Sequence, residues 1–459
     1  MSSESSQTWS LTSHQITCSL SWIRGGLVIL ILVFMYFQLN LLLSFSKSSE
    51  NLDTNDSDEA ILSMIPAELH KFLSLKPTNS TRTNSNGSDD KISNISTLNI
   101  SYIKERIAQY NLQQRVLNGN SFQSLENDSI VIVVQIHDRI NYLRYLIVSL
   151  AQAPGISHTL LVFSHDYYDE QMNSLVQSID FCKVIQIFYP YSIQAHPEEF
   201  PGEDPEDCPR DMKKEHAVQK KCNNALSPDV HGHYREAKFT QTKHHWWWKA
   251  NRVFKQLEVT RNHSGLILML EEDHYVGRDF IHMLRLMEKT SKVSCRHCNV
   301  FSLGTYMKTY NYYANSKKVE ISPWIGGKHN MGMAFNRSTW MQIVDCASFF
   351  CGYDDYNWDW SLQQVSEKCL KQKLHVMVAV APRVFHIGEC GFHHRKNNCR
   401  SNSVISKVQQ VLKLSRRYFY PDRLILTYST VPKKTKPSKG NGGWGDKRDH
   451  KLCMGMTVG

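Results

Sequence analysis

Three consecutive acids, Glu271, Glu272 and Asp273, directly follow the apolar run SGLILML. Carboxylates at the carboxyl end of a strand are hard oxygen donors. They suit Mg²⁺ or Mn²⁺, which can bridge to the diphosphate of a nucleotide. Phe385-His386-Ile387-Gly388 follows a second apolar run, HVMVAV, and a turn at Pro382. A neutral His386 there is a candidate second metal ligand; its plainer reading is a hydrogen-bonded structural histidine. Gln135-Ile136-His137-Asp138-Arg139 and Ser164-His165-Asp166 close two further runs. Singly they read as capped helix starts, and beside the acidic triplet they read as a nucleotide cleft. Gln241-Thr242-Lys243-His244-His245 leads into three adjacent tryptophans. It offers either donors to a diphosphate or sugar or a buried aromatic anchor. Asp354 to Trp360 interleaves carboxylates with aromatics, the ingredients of a sugar-stacking platform and a general base for its hydroxyl. Cys295-x-x-Cys298 is a lone pair that reads as a small disulfide loop ahead of zinc. His393-His394 has no i,i+4 partner on a helix.

The elements that must carry these groups are legible as apolar runs. Ser129–Ile136 is a continuous β-branched stretch, the mark of a strand buried on both faces of a parallel sheet. Further strands are predicted over 158–163, 184–188, 264–270 and 375–380, with a helical pattern through Tyr142, Leu146 and Leu150. Ile103, Ile107, Tyr110 and Leu117 suit a helix over 103–117. Alternating strands and helices predict an α/β fold. On such sheets ligands bind at the carboxyl ends of strands, where the candidate residues stand.

The chain of 459 residues carries 53 Lys+Arg against 43 Asp+Glu, spread along its length. Lys433, Lys434, Lys436 and Lys439 stand among Pro and Ser as a solvated loop, so the charge favours an anionic small ligand over nucleic acid. Eleven of twelve cysteines lie beyond residue 180, and Asn-X-Ser/Thr sequons start at Asn55, Asn79, Asn86, Asn94, Asn99, Asn127, Asn262 and Asn336. Both features predict a lumenal or extracellular chain. The apolar stretch 25–45 is long enough for a membrane span and lacks a cleavage site. The expected organisation is therefore a cytosolic tail (1–24), a signal anchor (25–45), a disordered glycosylated stem (46–102) and a lumenal catalytic domain (103–459). That is a single-pass type II arrangement.

EEDHY at 271–275, TKHHWWWK at 242–249, YDDYNWDW at 353–360, FHIGECGFHH at 385–394 and NGGWGDKRDH at 441–450 stand in one order. Over roughly residues 105–455 the chain resembles the N-acetylglucosaminyltransferase II family. The related N-acetylglucosaminyltransferase I usually carries EDD for the triplet and lacks the HHWWW run. The resemblance implies a GT-A glycosyltransferase fold with a Rossmann-like, mostly parallel sheet, in the Golgi membrane. It implies inverting transfer of N-acetylglucosamine from UDP-N-acetylglucosamine (UDP-GlcNAc) to the 2-hydroxyl of the α1,6-linked mannose of an N-glycan, with Mn²⁺ as cofactor. By the same resemblance Asp273 and His386 hold the metal and Asp359 is the catalytic base. Gln135, Ile136, His137, Asp138 and Arg139, with Asp166 and Gln241, Thr242, Lys243, His244 and His245, bind the donor. Arg210, Asn330, Tyr356 and Trp358 contact the acceptor. It also implies disulfides Cys208–Cys222, Cys295–Cys298, Cys346–Cys369, Cys351–Cys453 and Cys390–Cys399, which spacing alone does not choose, and leaves Cys182 as a buried thiol. Where a donor-contacting arginine is expected, Tyr310 stands, with Lys308 two positions back. A transferase with another mannose acceptor and a glycan-binding protein without turnover are the alternatives; homodimerisation stays open.

Overall fold

The computed structural model describes residues 35–36, 61–74, 99–306, 309–388, 401–429 and 440–458. It divides into a unit of residues 1–63 and a second of 64–459, which holds every element described below. The expected anchor (Met35 and Tyr36 apart), Lys308, Cys390 and Cys399 lie outside the described residues. No helix among the described residues is long and apolar enough to cross a membrane.

The five predicted strands form within two residues of their expected bounds: β1 (Val131–Ile136), β2 (Leu160–His165), β3 (Lys183–Phe188), β4 (Leu266–Glu271) and β9 (His375–Ala379). Six more join them, all but β7 shorter: β5 (His274–Val276), β6 (Val300–Ser302), β7 (Lys318–Pro323), β8 (Met333–Asn336), β10 (Val384–His386) and β11 (Ile425–Tyr428). Nine build one sheet in the order β11-β7-β9-β6-β8-β4-β1-β2-β3, and β5 pairs with β10 separately. The large sheet is mixed, mostly parallel, with antiparallel pairing where β4 and β6 meet β8 and where β7 meets β9.

Two register facts position the candidate site. Gln135 at the end of β1 stands opposite Ser164 of β2 and Glu271 of β4, so three carboxyl ends finish level. In the small sheet His386 stands opposite His274, and Ile387 N donates to Asp273 O at 2.8 Å. The acidic triplet and the distant FHIG segment are thereby laid side by side.

The tryptophan helix, Ala237–Asn251, solves the problem of three adjacent indoles by being buried on all sides. Trp246 stacks on Trp358 (4.4 Å, 4° between planes), Trp247 on Phe350 (4.3 Å), and Trp248 meets Tyr189 edge-on (5.7 Å). Trp247 also donates Nε1–H to Thr457 Oγ1 at 3.0 Å in the helix Lys447–Val458.

The first long helix of the domain runs Ile100–Gln113, shorter than expected, with the Asn99 side chain accepting from Ser101 N at its start. Gln114 turns left-handed (φ 44°) and ends it, so Leu117 instead exchanges backbone hydrogen bonds with Val184. The segment expected as stem carries a short helix. Ala67–Phe72 forms a 3₁₀ helix, Phe72 is fully buried beside Phe181, and Arg144 donates to the carbonyls of Phe72 and Ser74. One aromatic and two carbonyl-directed contacts hold this short stretch against the domain. Disulfides join Cys208–Cys222, Cys295–Cys298, Cys346–Cys369 and Cys351–Cys453, and Cys182 is a buried free thiol.

Candidate active site

Asp273 is 2% exposed. Its Oδ2 accepts from Arg139 Nη1 (2.8 Å) and meets His386 Nε2 (3.2 Å), while Oδ1 is buried with no hydrogen-bond partner among the described residues. A buried carboxylate oxygen with free lone pairs is costly unless a donor or cation completes it. Glu271, Asp273 and His274 offer ligand atoms within 4.8 Å of one another, and His386 adds an imidazole. This donor set fits a hard or borderline divalent cation. Gly388 is needed for it: a Cβ there would lie 2.3 Å from Asp273 Oδ2. Burial disfavours a charged His386, but its contact with Asp273 outweighs that and raises the imidazole.

The neighbouring strand ends add positive charge. Arg139 Nε donates to Glu272 Oε1 at 2.6 Å, and burial of this guanidinium is overcome by the charges of Asp273 and Glu272. His137 donates its backbone N–H to Glu272 Oε2 (2.8 Å) and pairs through Nδ1 with Asp166 Oδ1 (2.6 Å). Burial again opposes protonation, yet Asp166 raises this imidazole to about 9. The other oxygen of Asp166 meets Gln241 Nε2 and His245 Nδ1, both at 3.2 Å. Asp166 thus ties the ends of β1 and β2 to the tryptophan helix, and stays ionised because His137 and His245 overcome its burial. Gln135 Oε1 accepts from Lys249, whose amine burial pushes down to about 7.

At the start of the helix Trp358–Lys368 stands Asp359, 8% exposed. Trp360 N donates to its Oδ1 at 2.9 Å and Asn330 Nδ2 to its Oδ2 at 3.0 Å. Burial, only partly offset by the Trp360 amide, raises this carboxyl to about 6, the range for a base working near neutrality. Tyr306 donates its hydroxyl to Asn330 Oδ1 at 2.9 Å, and Glu271, Asp359 and Asp273 all reinforce the burial that raises its pKa. Tyr306 is thus joined to Asp359 through Asn330 and feels the charges of Glu271 and Asp273 as well.

The segment after β6 joins the two halves. Leu303 N donates to Gly332 O (3.0 Å) and Gly304 N to Met331 O (3.1 Å), while Leu303 O accepts from Val384 N (3.1 Å). Asn330 and His386 lie one and two residues beyond these contacts. Both glycines are required: a Cβ on Gly304 would meet Met331 Cγ at 2.5 Å, and Gly332 has φ +60° with its Cβ position 2.6 Å from Val384 Cγ2.

The structure brings together Gln135, His137, Arg139, Asp166, Gln241, His245, Asp273 and His386 on one edge, and Asn330 with Asp359. Others stand apart. Ile136 is a fully buried core residue whose contribution is its carbonyl, accepting from Asp166 N. Lys243 is fully enclosed; its ammonium donates to the carbonyls of Tyr353 and Asp355 (both 3.0 Å) and lies 4.0 Å from the Trp444 ring. His244 is buried against Asp449. Both departures have one cause: residues 243 and 244 turn toward the interior of the helix packing, where 241 and 245 turn toward Asp166. Thr242 is half-buried on the same helix, and Asp138 is half-exposed, 3.8 Å from His137 Nε2. Trp358 is buried with one face occupied by Trp246, so it serves the interior. Tyr356 packs on Phe239 (4.9 Å). Arg210 pairs with Asp211 and Glu236, and Tyr310 stands edge-on to Phe385 (5.5 Å). Sequence reading missed Tyr306 and the role of Asn330 as partner of Asp359; neither carries a local pattern, since both act through long-range pairing.

The family described as N-acetylglucosaminyltransferase II (MGAT2) matches residues 104–453. The alpha-1,6-mannosyl-glycoprotein 2-beta-N-acetylglucosaminyltransferase of Rattus norvegicus is 45% identical over 347 residues, 76% of this chain and 78% of that protein. Its namesake from Arabidopsis thaliana is 32% identical over 348 residues, 74% and 77% of the two chains. Among solved structures, S. aureus TarS 1-349 overlaps at a TM-score of 0.29 with 11% identity, over 56% of this chain and 60% of that one, a likeness too slight to bear on the fold. The matched span contains the acidic triplet, the tryptophan helix, Asp359 and His386, and this chain belongs to the N-acetylglucosaminyltransferase II family.

Proposed function

We propose that this protein is an inverting glycosyltransferase that moves N-acetylglucosamine from UDP-GlcNAc to the 2-hydroxyl of the α1,6-linked mannose of an N-glycan, forming a β1,2 linkage. The observation that carries the chemistry is Asp359: a buried carboxyl raised to about 6, held by Asn330, and near enough to Glu271 of the acidic cluster to feel its charge. A carboxylate so tuned takes the proton of the mannose hydroxyl as its oxygen attacks the anomeric carbon. Attack opposite the α-linked diphosphate gives the β product in one displacement. Asp273 and His386 would hold Mn²⁺, which supplies Lewis-acid neutralisation of the departing diphosphate. Arg139 and a protonated His137 add fixed positive charge along the same edge. The GT-A assignment accords with the level carboxyl ends of β1, β2 and β4 beneath this cluster.

The setting proposed is the Golgi membrane, with residues 25–45 as the anchor and the domain lumenal. The sequons and the disulfides support it. The test is incubation with UDP-GlcNAc, Mn²⁺ and a defined mannose-terminated N-glycan, with the product linkage read by NMR. A new β1,2 linkage on the α1,6 arm is expected; transfer to another position, or hydrolysis of the donor alone, overturns the assignment. Protection of the domain from added protease in sealed microsomes tests the topology.

A further inference from the structure

We propose that a cavity of about 270 Å³ between the helix Ile100–Gln113 and the edge strand β3 binds an anionic sugar, a hydroxyl-bearing ring with one carboxylate or phosphate. Two guanidiniums, Arg106 and Arg115, line it, and none of its lining residues is acidic. Among the described residues Arg106 donates only to neutral oxygens, the Tyr168 hydroxyl (3.3 Å) and Gln109 Oε1 (2.6 Å), and lies over the Tyr110 ring at 5.3 Å. Glu170 reaches Arg106 only through Tyr168, whose hydroxyl donates to it. Arg115 is exposed and pairs with no group among the described residues. Two uncompensated guanidiniums facing one cavity select an anion, and their planar forks suit a carboxylate or phosphate.

The remaining wall selects a sugar. Gln186, 5% exposed, directs its amide nitrogen to His165 (3.2 Å) and Asn173 (3.4 Å), and no donor among the described residues reaches its Oε1. With no donor on it, that oxygen is free to accept a ligand hydroxyl in the cavity that Gln186 lines. Gln109, Gln113 and Gln177 add amides that both donate and accept, the pairing that ring hydroxyls offer in return. None of these residues belongs to the groups around Asp273 or Asp359, so the cavity is a second site.

The test is calorimetric titration of the full-length chain in detergent micelles with galacturonate, glucose 6-phosphate, galactose and inorganic phosphate. At least one anionic sugar should bind, at least about tenfold tighter than galactose and than inorganic phosphate; which one binds separates a carboxylate from a phosphate source. Arg115→Gln and Gln113→Glu should each weaken binding about tenfold, the scale of one hydrogen bond to a charged group. Both are surface changes, so thermal unfolding should match the wild type. No binding by either anionic sugar, equal binding of galactose or phosphate, or unchanged affinity in both variants overturns the proposal.

Discussion

Asn330 donates from Nδ2 to Asp359 Oδ2 at 3.0 Å while its Oδ1 accepts from the Tyr306 hydroxyl at 2.9 Å. The amide is thereby fixed in one orientation and holds the carboxylate that burial has brought to about 6. A hydrogen bond to the charged form favours that form. Asn330→Ala should therefore move the acidic limb of the kcat profile upward from about pH 6. It should also lower kcat about tenfold, the worth of one hydrogen bond to a charged group. A pH–rate profile for both proteins decides it; an unmoved limb removes Asn330 from this role.

Asp359 itself should show opposed effects on rate and stability. Asp359→Asn should lower turnover about 10² to 10⁴ fold, the scale of general-base catalysis, while nucleotide binding persists. The folded carboxyl titrates near 6 against an ordinary 3.8, so the native state holds its proton more tightly than the unfolded chain. Its contribution to stability is full below pH 3.8 and is lost as pH rises through 6. Removing the charge should thus stabilise the fold at pH 7.5, by at most about 3 kcal/mol at about 1.4 kcal/mol per pH unit. Thermal unfolding at pH 4.5 and 7.5 is the check. An advantage confined to the lower pH contradicts the sign.

Gly388 offers a way to disturb Asp273 without touching its charge. Gly388→Ala places a methyl 2.3 Å from Oδ2 and should raise the Mn²⁺ concentration for half-maximal activity about 10- to 100-fold, the usual penalty for disturbing a ligand's support. Titration of activity with Mn²⁺ after chelation reads this directly. An unchanged requirement separates Gly388 from the metal. His386→Ala should behave in the same direction.

His137 gains its proton affinity from Asp166. Its folded value, about 9, exceeds the ordinary 6.5, so its stabilising contribution is complete below pH 6.5 and is lost as pH rises through 9. The imidazole is 43% exposed, and solvent screening keeps the effect modest. His137→Gln should unfold at a lower temperature than wild type at pH 6.5, with the gap closing by pH 9.5. A constant gap across that range excludes the ion pair as its source.

The long apolar strands and the acids at their ends are readable from sequence because parallel β1, β2 and β4 are buried on both faces and declare themselves as continuous apolar runs. The short strands β5, β6, β8 and β10 are not, since three or four residues carry no period and are held by pairing with distant partners. The same reason hides Tyr306: its partner lies 24 residues away. The pattern TKHHWWWK announces something unusual but not which residues face which way. The helix phase, fixed by packing against Trp358, Phe350 and Trp340, sends Gln241 and His245 to Asp166 and Lys243 inward. Trp358, adjacent to Asp359 in sequence, likewise serves the interior.

The contact between Trp247 and Thr457 has a temporal meaning. The indole is translated 210 residues before the hydroxyl that receives its N–H, and the Cys351–Cys453 bond closes across 102 residues. During synthesis the tryptophan helix stays without this partner until residues 447–458 have been made and Cys453 has joined Cys351. Shortening or masking residues 447–458 should therefore show first as a lower yield of folded protein, with sugar transfer per folded molecule changed less.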